Sequence, residues 1–180
     1  MHLFESYQRY NDKLMQTLMS AAASSSHKPN VIFDVTLKDF HKLIDIADLL
    51  DIGNYALENR HLVWVLAPFD LALKNNAERS RRVSEDILMI THAGVSRTIK
   101  QLIKSCDQSM INGDVYIVFN NRELEDTLAK RVGNKTKTFL VDHYTCFRVK
   151  AANQAWIPYN EISAEIVEKI RSYVPDSTTW

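Results

Sequence analysis

Residues 61–103, HLVWVLAPFDLALKNNAERSRRVSEDILMITHAGVSRTIKQLI, contain the pattern that decides the fold. The run 61–67 is continuously apolar and does not alternate with polar residues, which predicts a strand buried on both faces. Pro68 and Asp70 then open a helix that ends near residue 78. A strand that leads directly into a helix is the repeating unit of an α/β domain.

A second, longer helix is predicted from residue 85. Ser84 stands at the N-cap position, and Glu85 and Asp86 fall in the first turn, where the helix dipole favours carboxylates. Apolar residues then recur at helical spacing for about five turns. They predict one inner face, formed by Ile87, Ile90, Val95, Ile99, Leu102 and Cys106.

The alternation of strands and helices continues on both sides of this stretch. The predicted elements are a helix over 3–23, strands over 30–36 and 113–120, helices over 37–53 and 122–132, one or two strands within 137–149, and a helix over 160–174. This order predicts a single α/β domain over 1–180, in which helices flank a mostly parallel sheet in three layers.

Charge is balanced over the 180 residues, with 22 Lys and Arg against 22 Asp and Glu. The field of the whole molecule therefore gives no steering toward nucleic acid or an anionic membrane. The longest apolar run, 62–67, is too short to cross a bilayer, and charges interrupt the N-terminus where a secretory signal has its apolar core. We expect a cytoplasmic protein with Cys106 and Cys146 as buried free thiols.

Three arginines lie within four positions of this chain without net charge: Arg79, Arg81 and Arg82. One interpretation is a solvated charged turn. The other is a phosphate site, because guanidinium groups bind phosphate oxygens bidentately and stabilise a phosphoryl group in transfer. The residue types alone leave both interpretations open.

A second candidate site lies at the end of the first predicted strand. Asp34 and Thr36 are two positions apart in an extended segment, so their side chains point the same way. Ligands of open parallel sheets bind beyond the carboxyl ends of the strands. An aspartate beside a hydroxyl suits accepting a substrate proton, binding a sugar hydroxyl or holding Mg²⁺ through water. The alternative is a carboxylate that caps the next helix.

Two further patterns are weaker. Arg97, Lys100 and Lys104 form a basic stripe at helical spacing, which is more typical of a wet helix face than of a nucleic-acid site. His92 has no second ligand four residues on, so we expect no metal site there.

The order of these segments resembles the acceptor-side and lid portion of P-loop kinases of the zeta-toxin type. The resemblance covers roughly residues 30–105. It rests on NVIFDVTLKDF (30–40), VWVLAP (63–68), ALKNNAERSRRVSEDI (72–87) and LMITHAGVSRTIKQLI (88–103). It divides the chain into an N-terminal helix and loop (1–29), an acceptor strand and lid (30–105), and a C-terminal sheet and helix (106–180).

The resemblance implies a P-loop NTPase-like fold and transfer of a phosphoryl group from ATP or GTP, with Mg²⁺, to a small-molecule hydroxyl. Asp34 matches the catalytic base, and Thr36 and Lys38 match residues that bind the acceptor. Arg79, Arg81 and Arg82 match the lid arginines that contact the nucleotide phosphates, with Arg81 as the catalytic one. Leu37, His92 and Thr98 also fall on matching positions.

The chain departs from this family in lacking a phosphate loop. Such kinases carry a Gly-x-x-x-x-Gly-Lys-Ser/Thr loop near the N-terminus, whereas the glycines here are Gly53, Gly94, Gly113 and Gly133. The sequence therefore predicts a fold without its first βα unit. Three outcomes stay open: the chain is a fragment of, or a partner to, a protein chain that completes the fold; it is an inactive binding or assembly module; or an unrecognised segment replaces the loop.

Overall fold

The computed structural model describes residues 2–120, 129–132, 135–138, 145–175 and 180. The helices are α1 (His2–Ala23), α2 (Phe40–Ile52), α3 (Phe69–Glu78), α4 (Glu85–Ser105) and α5 (Ala164–Tyr173). The strands are β1 (Leu62–Leu66), β2 (Val115–Phe119), β3 (Ala129–Val132), β4 (Lys135–Thr138) and β5 (Thr145–Lys150), and single 3-10 turns span Leu57–Asn59 and Tyr159–Glu161. None of the helices in these ranges is long and apolar enough to cross a membrane.

A three-stranded mixed sheet in the order β1-β2-β5 lies at the centre of the fold. β1 and β2 are parallel, with Leu62 opposite Val115 and Leu66 opposite Phe119. β5 runs antiparallel to β2, and β3 and β4 form a separate antiparallel pair. The prediction of a three-layer, mostly parallel sheet is therefore wrong, because the described strands contain one parallel pair.

Two segments account for this difference. Residues 30–36, predicted as a strand, form neither strand nor helix. Residues 129–132, predicted as the end of a helix, form β3, while residues 122–128 of that prediction lie outside the described residues. A strand can pair antiparallel with its neighbour without the helical crossover that a parallel partner needs, which allows β5 to return beside β2.

β1 is an edge strand with only one covered face. Leu62, Trp64 and Leu66 are buried, whereas Val63 and Val65 are 56% and 60% exposed. The apolar run 61–67 predicted burial on both faces, and that prediction is wrong because nothing in the described chain covers the second face. The covered face packs into a core with side chains of α4, α5 and the C-terminal residue, among them Ile99, Leu102, Ile103, Ile170 and Trp180.

α4 begins and ends close to the predicted limits, but its inner face is shorter than predicted. Ile87 and Ile90 are exposed, and burial begins with Ala93 and Gly94. Cys106 ends the helix in a left-handed conformation with φ 51°. Cys106 and Cys146 are both exposed, so the prediction of buried thiols is wrong.

Candidate functional site

A cleft of about 340 Å³ opens along the free edge of β1. Residues 33–37 form one wall and β1 forms the opposite wall, while α4 contributes side chains from Leu88 to Ile99. The lining is apolar except for Asp34, Thr36, Thr91 and His92. The structure thus places Asp34 and Thr36 in one cleft, together with a histidine from a helix more than fifty residues further along the chain.

Gly94 sets how closely the first wall approaches α4. A Cβ atom at this position would lie 2.4 Å from the Lys38 carbonyl oxygen and 3.2 Å from the carbonyl carbon. Glycine is therefore required where the backbone of Lys38 crosses the helix. Asp39 then caps α2, because its Oδ1 accepts a hydrogen bond from the Lys42 N–H at 3.1 Å. The wall is held at this end by both α4 and α2.

We expect Gly94→Ala to lower the free energy of unfolding by about 1–3 kcal/mol, the usual cost of overpacking. The clash with the Lys38 backbone outweighs the gain in helix propensity, which is at most about 1 kcal/mol. Urea denaturation measures the change, and Gln101→Ala, at an exposed position of α4, is the matched control. An alanine variant as stable as the parent chain would contradict this close approach.

His92 is a half-buried polar residue of the cleft. Its Nε2 lies 3.1 Å from the carbonyl oxygen of Ala67, directly after the carboxyl end of β1. A carbonyl oxygen only accepts, so Nε2 carries the proton and Nδ1 keeps a free lone pair. Nδ1 is buried and has no hydrogen-bond partner among the described residues. The Phe69 ring packs edge-on at 5.7 Å between centroids.

The ionisation of His92 follows from this burial. Desolvation lowers the pKa of His92 below 6.5, and the hydrogen bond with the Ala67 carbonyl opposes that shift. The ring is therefore neutral near pH 7, and its unpaired Nδ1 is closed off from solvent. The sequence places a histidine on this helix, but it gives no sign that one ring nitrogen is left unsatisfied.

The arginine loop, residues 79–84, lies outside the cleft. It connects α3 to α4, and Arg79, Arg81 and Arg82 are all exposed. Asn76 clamps its end: the side-chain amide donates to the Val83 carbonyl at 2.7 Å, and Oδ1 accepts from the Val83 N–H at 2.9 Å. The loop is thus a closed turn at the tip of a helical hairpin.

Helix geometry gives the position of this loop relative to the cleft. α3 starts two residues beyond Ala67 and is 10 residues long, so it carries the chain roughly 15 Å along its axis. His92 lies seven residues into α4, about 10 Å from the start of that helix. The arginines must therefore bend back by about this distance to reach a ligand held at His92.

The remaining predicted site residues also lie outside the cleft or contribute only their backbone to it. Lys38 contributes its backbone to the wall, but its exposed side chain does not line the cleft. Lys100 and Lys104 of the basic stripe hold their Nζ atoms 5.5 Å and 5.1 Å from the centroid of the Tyr159 ring. Arg97 is exposed. The stripe is therefore partly engaged in cation–π contacts within the fold.

A magnesium ion fits this site in one way only. The described part of the chain holds no cluster of three or more side chains of the kind that bind a metal. Mg²⁺ in phosphotransferases is usually held by one or two carboxylates together with the substrate phosphates. Asp34 is the one carboxylate among the side chains that line the cleft, and it could hold a nucleotide-bound Mg²⁺.

No protein-family model, curated protein or solved structure matches this chain. The proposed function therefore rests on the cleft, on the arginine loop and on the sequence segments that resemble P-loop kinases.

Proposed function

We propose that this chain supplies the acceptor-binding and lid part of a phosphotransferase that moves a phosphoryl group from ATP or GTP to a small-molecule hydroxyl. One observation carries the proposal: a carboxylate, a hydroxyl and an imidazole ring, from Asp34, Thr36 and His92, line one cleft. His92 is anchored at the carboxyl end of β1, the edge at which α/β sheets bind their ligands. All three residues belong to the segments that resemble P-loop kinases of the zeta-toxin type.

The cleft residues divide the chemistry between them. Asp34 accepts the proton of the acceptor hydroxyl while that oxygen forms a bond to the γ-phosphorus. The bond from the γ-phosphorus to the bridging oxygen breaks, and the nucleoside diphosphate leaves with the electron pair. Thr36 positions the acceptor through a hydrogen bond between its hydroxyl and a hydroxyl group of the acceptor.

Two parts of the enzyme are needed to hold the phosphates of the nucleotide. Arg79, Arg81 and Arg82 act as a lid that closes over the phosphate oxygens, which are held by charge-assisted hydrogen bonds. The phosphate loop comes from another polypeptide segment, because the glycines of this chain do not form the required pattern. An arginine lid without that loop binds a nucleotide only weakly, since the loop and its lysine supply most of the positioning.

The test is direct binding of a triphosphate to the full chain, measured with a fluorescent ATP analogue in competition with Mg-ATP. We expect weak, competable binding that Arg81→Ala weakens about tenfold, since a lost charge-assisted bond costs roughly 1.5 kcal/mol. Arg97→Ala, which removes an exposed arginine of α4, is the matched control and should change nothing. Equal losses in both variants, or binding that ATP does not compete, would overturn the proposal.

A second candidate function is that of a non-catalytic binding or assembly module. The observation that favours it is the exposed apolar edge of β1, where Val63 and Val65 stand uncovered. A binding or assembly module needs no arginine near the cleft, so the exposed position of the arginine loop is compatible with this function.

A further inference from the structure

Within the described part of the chain, the backbone groups of Val63 and Val65 have no partner at the free edge of β1. The Leu62 N–H donates to the Asp114 carbonyl at 2.9 Å, and the Leu66 carbonyl accepts from the Asn120 N–H at 2.9 Å. In a strand, the N–H and C=O groups of successive residues point to opposite edges. Val63 and Val65 therefore direct two N–H and two C=O groups away from β2, into the cleft.

The wall that faces this edge is unpaired as well. Residues 31–38 make no backbone–backbone hydrogen bond to any other described residue. Buried or half-buried backbone groups are costly when they have no partner, so protein structures nearly always pair them or leave them to water. The cleft thus has unpaired main chain along both of its long walls.

The side chains beside these groups are apolar and uncovered. Val63 and Val65 project from the open face of the sheet, and Val35 of the facing wall is exposed too. Exposed β-branched residues on an edge strand favour contact with the side chains of another strand. A small polar ligand would leave this apolar surface in water.

We propose that an extended segment of another polypeptide, with β-branched or aromatic side chains, binds in this cleft as an additional strand along β1. Its backbone pairs with Val63 and Val65, and its apolar side chains cover those of the two valines, which is the mode of β-strand addition. A second copy of this chain fits poorly, because residues 33–37 stand in front of β1 and keep two such edges from meeting. The inference does not rest on phosphoryl transfer, and a strand bound here would compete with an acceptor for the cleft that both line.

The probe is a synthetic peptide that copies residues 114–120, DVYIVFN, with a lysine added at each end and a fluorophore at the N-terminus. This sequence contains β2, which pairs with the other edge of β1 and therefore forms a strand of matching length and apolar character. We expect saturable binding to the full chain by fluorescence anisotropy. Amide hydrogen exchange should slow at Val63 and Val65 when the peptide is bound, while Leu62, Trp64 and Leu66 stay unchanged.

Two variants of one residue separate backbone pairing from side-chain contact. Val65→Pro removes the N–H that points into the cleft without removing a bond between β1 and β2. It should weaken binding about tenfold or more, as expected for a lost hydrogen bond with an unpaired partner. Val65→Ala keeps that N–H and should bind within about threefold of the parent chain. Should the proline variant unfold, a peptide with proline in place of its isoleucine serves the same purpose.

Several outcomes would overturn the inference. One is the absence of binding at about 1 mM peptide, which corresponds to an affinity weaker than about 4 kcal/mol. Others are binding without slower exchange at Val63 and Val65, or equal affinities of the proline and alanine variants. Protection of these amides that rises with protein concentration alone would assign the edge to a second copy. None of these results bears on the triphosphate measurement with Arg81.

Discussion

Replacement of Trp180 by alanine is expected to lower the free energy of unfolding by about 3–5 kcal/mol, the range for a fully buried tryptophan. Trp180 is 3% exposed and stacks on Trp64 with ring centroids 5.9 Å apart. Its indole N–H is 2.6 Å from the Ser96 hydroxyl and 3.2 Å from the Ser96 carbonyl. The alanine variant therefore loses packing under β1 and also removes the hydrogen bond that the indole donates to the buried Ser96 hydroxyl.

Urea denaturation followed by circular dichroism measures this loss. Trp180→Phe keeps a ring against Trp64 and lacks the N–H, so we expect it to cost only about 1–3 kcal/mol. Met89→Ala, at an exposed position of α4, is the control for a truncation outside the core. A Trp180→Ala variant within about 1 kcal/mol of the parent chain, which is the size of a typical single substitution, would contradict the placement of Trp180 in the core.

Replacement of Lys150 by methionine is expected to cost about 1.5–3 kcal/mol, the range for the loss of hydrogen bonds from a charged group. Lys150 is 1% exposed, at the end of β5. Its Nζ donates to Asn112 Oδ1 at 2.8 Å, to the Gln154 carbonyl at 2.9 Å, and at 3.2–3.3 Å to the carbonyls of Ala151 and Asn112. Methionine fills similar space but makes none of these four hydrogen bonds. The carbonyls of Asn112, Ala151 and Gln154 keep other donors, whereas Asn112 Oδ1 loses its donor.

The opposing effect is the cost of burying the ammonium group. Burial lowers the pKa of Lys150, and the Asp114 carboxylate opposes that shift. We expect the loss of four hydrogen bonds from a charged donor, which leaves Asn112 Oδ1 without a partner, to outweigh the relief of desolvation. Thermal unfolding of Lys150→Met beside Lys74→Met, an exposed lysine on α3, measures the difference. A methionine variant that is more stable than the parent chain would show that desolvation dominates.

The strand and the two helices of residues 61–105 lie close to where the sequence predicts them, because local signals decide where these elements begin and end. The apolar run gives β1, Pro68 and Asp70 mark the start of α3, and Ser84 stands at the N-cap of α4. The Ser84 hydroxyl makes no capping hydrogen bond, yet the position is the predicted one. Such propensities and caps act within a few residues and can be read without a partner element.

Sheet topology could not be predicted in the same way. Residues 30–36 have the composition of a strand, but a strand exists only where a neighbour pairs with it, and β1 does not pair with this segment. The direction of β5 also depends on tertiary contacts. Nothing in the sequence indicates that Lys150 is buried and hydrogen-bonded, because a lysine after apolar residues is also typical of an exposed strand end.

The candidate site was predictable in part. Asp34 and Thr36 line the cleft that their spacing suggested, whereas the arginines lie on an exposed loop whose position depends on the lengths of α3 and α4. The role of His92 depends on contacts with Ala67 and Phe69. Those contacts join elements far apart in the chain, and residue types alone do not reveal them.

The most direct test of the central claim, an open strand edge facing the cleft, is residue-resolved amide hydrogen exchange in the chain alone. We expect slow exchange at Leu62, Trp64 and Leu66, whose N–H groups point toward β2, and fast exchange at Val63 and Val65. This alternation is the signature of a strand paired on one side only. Slow exchange at all five amides would show that the edge is already covered and would contradict the account.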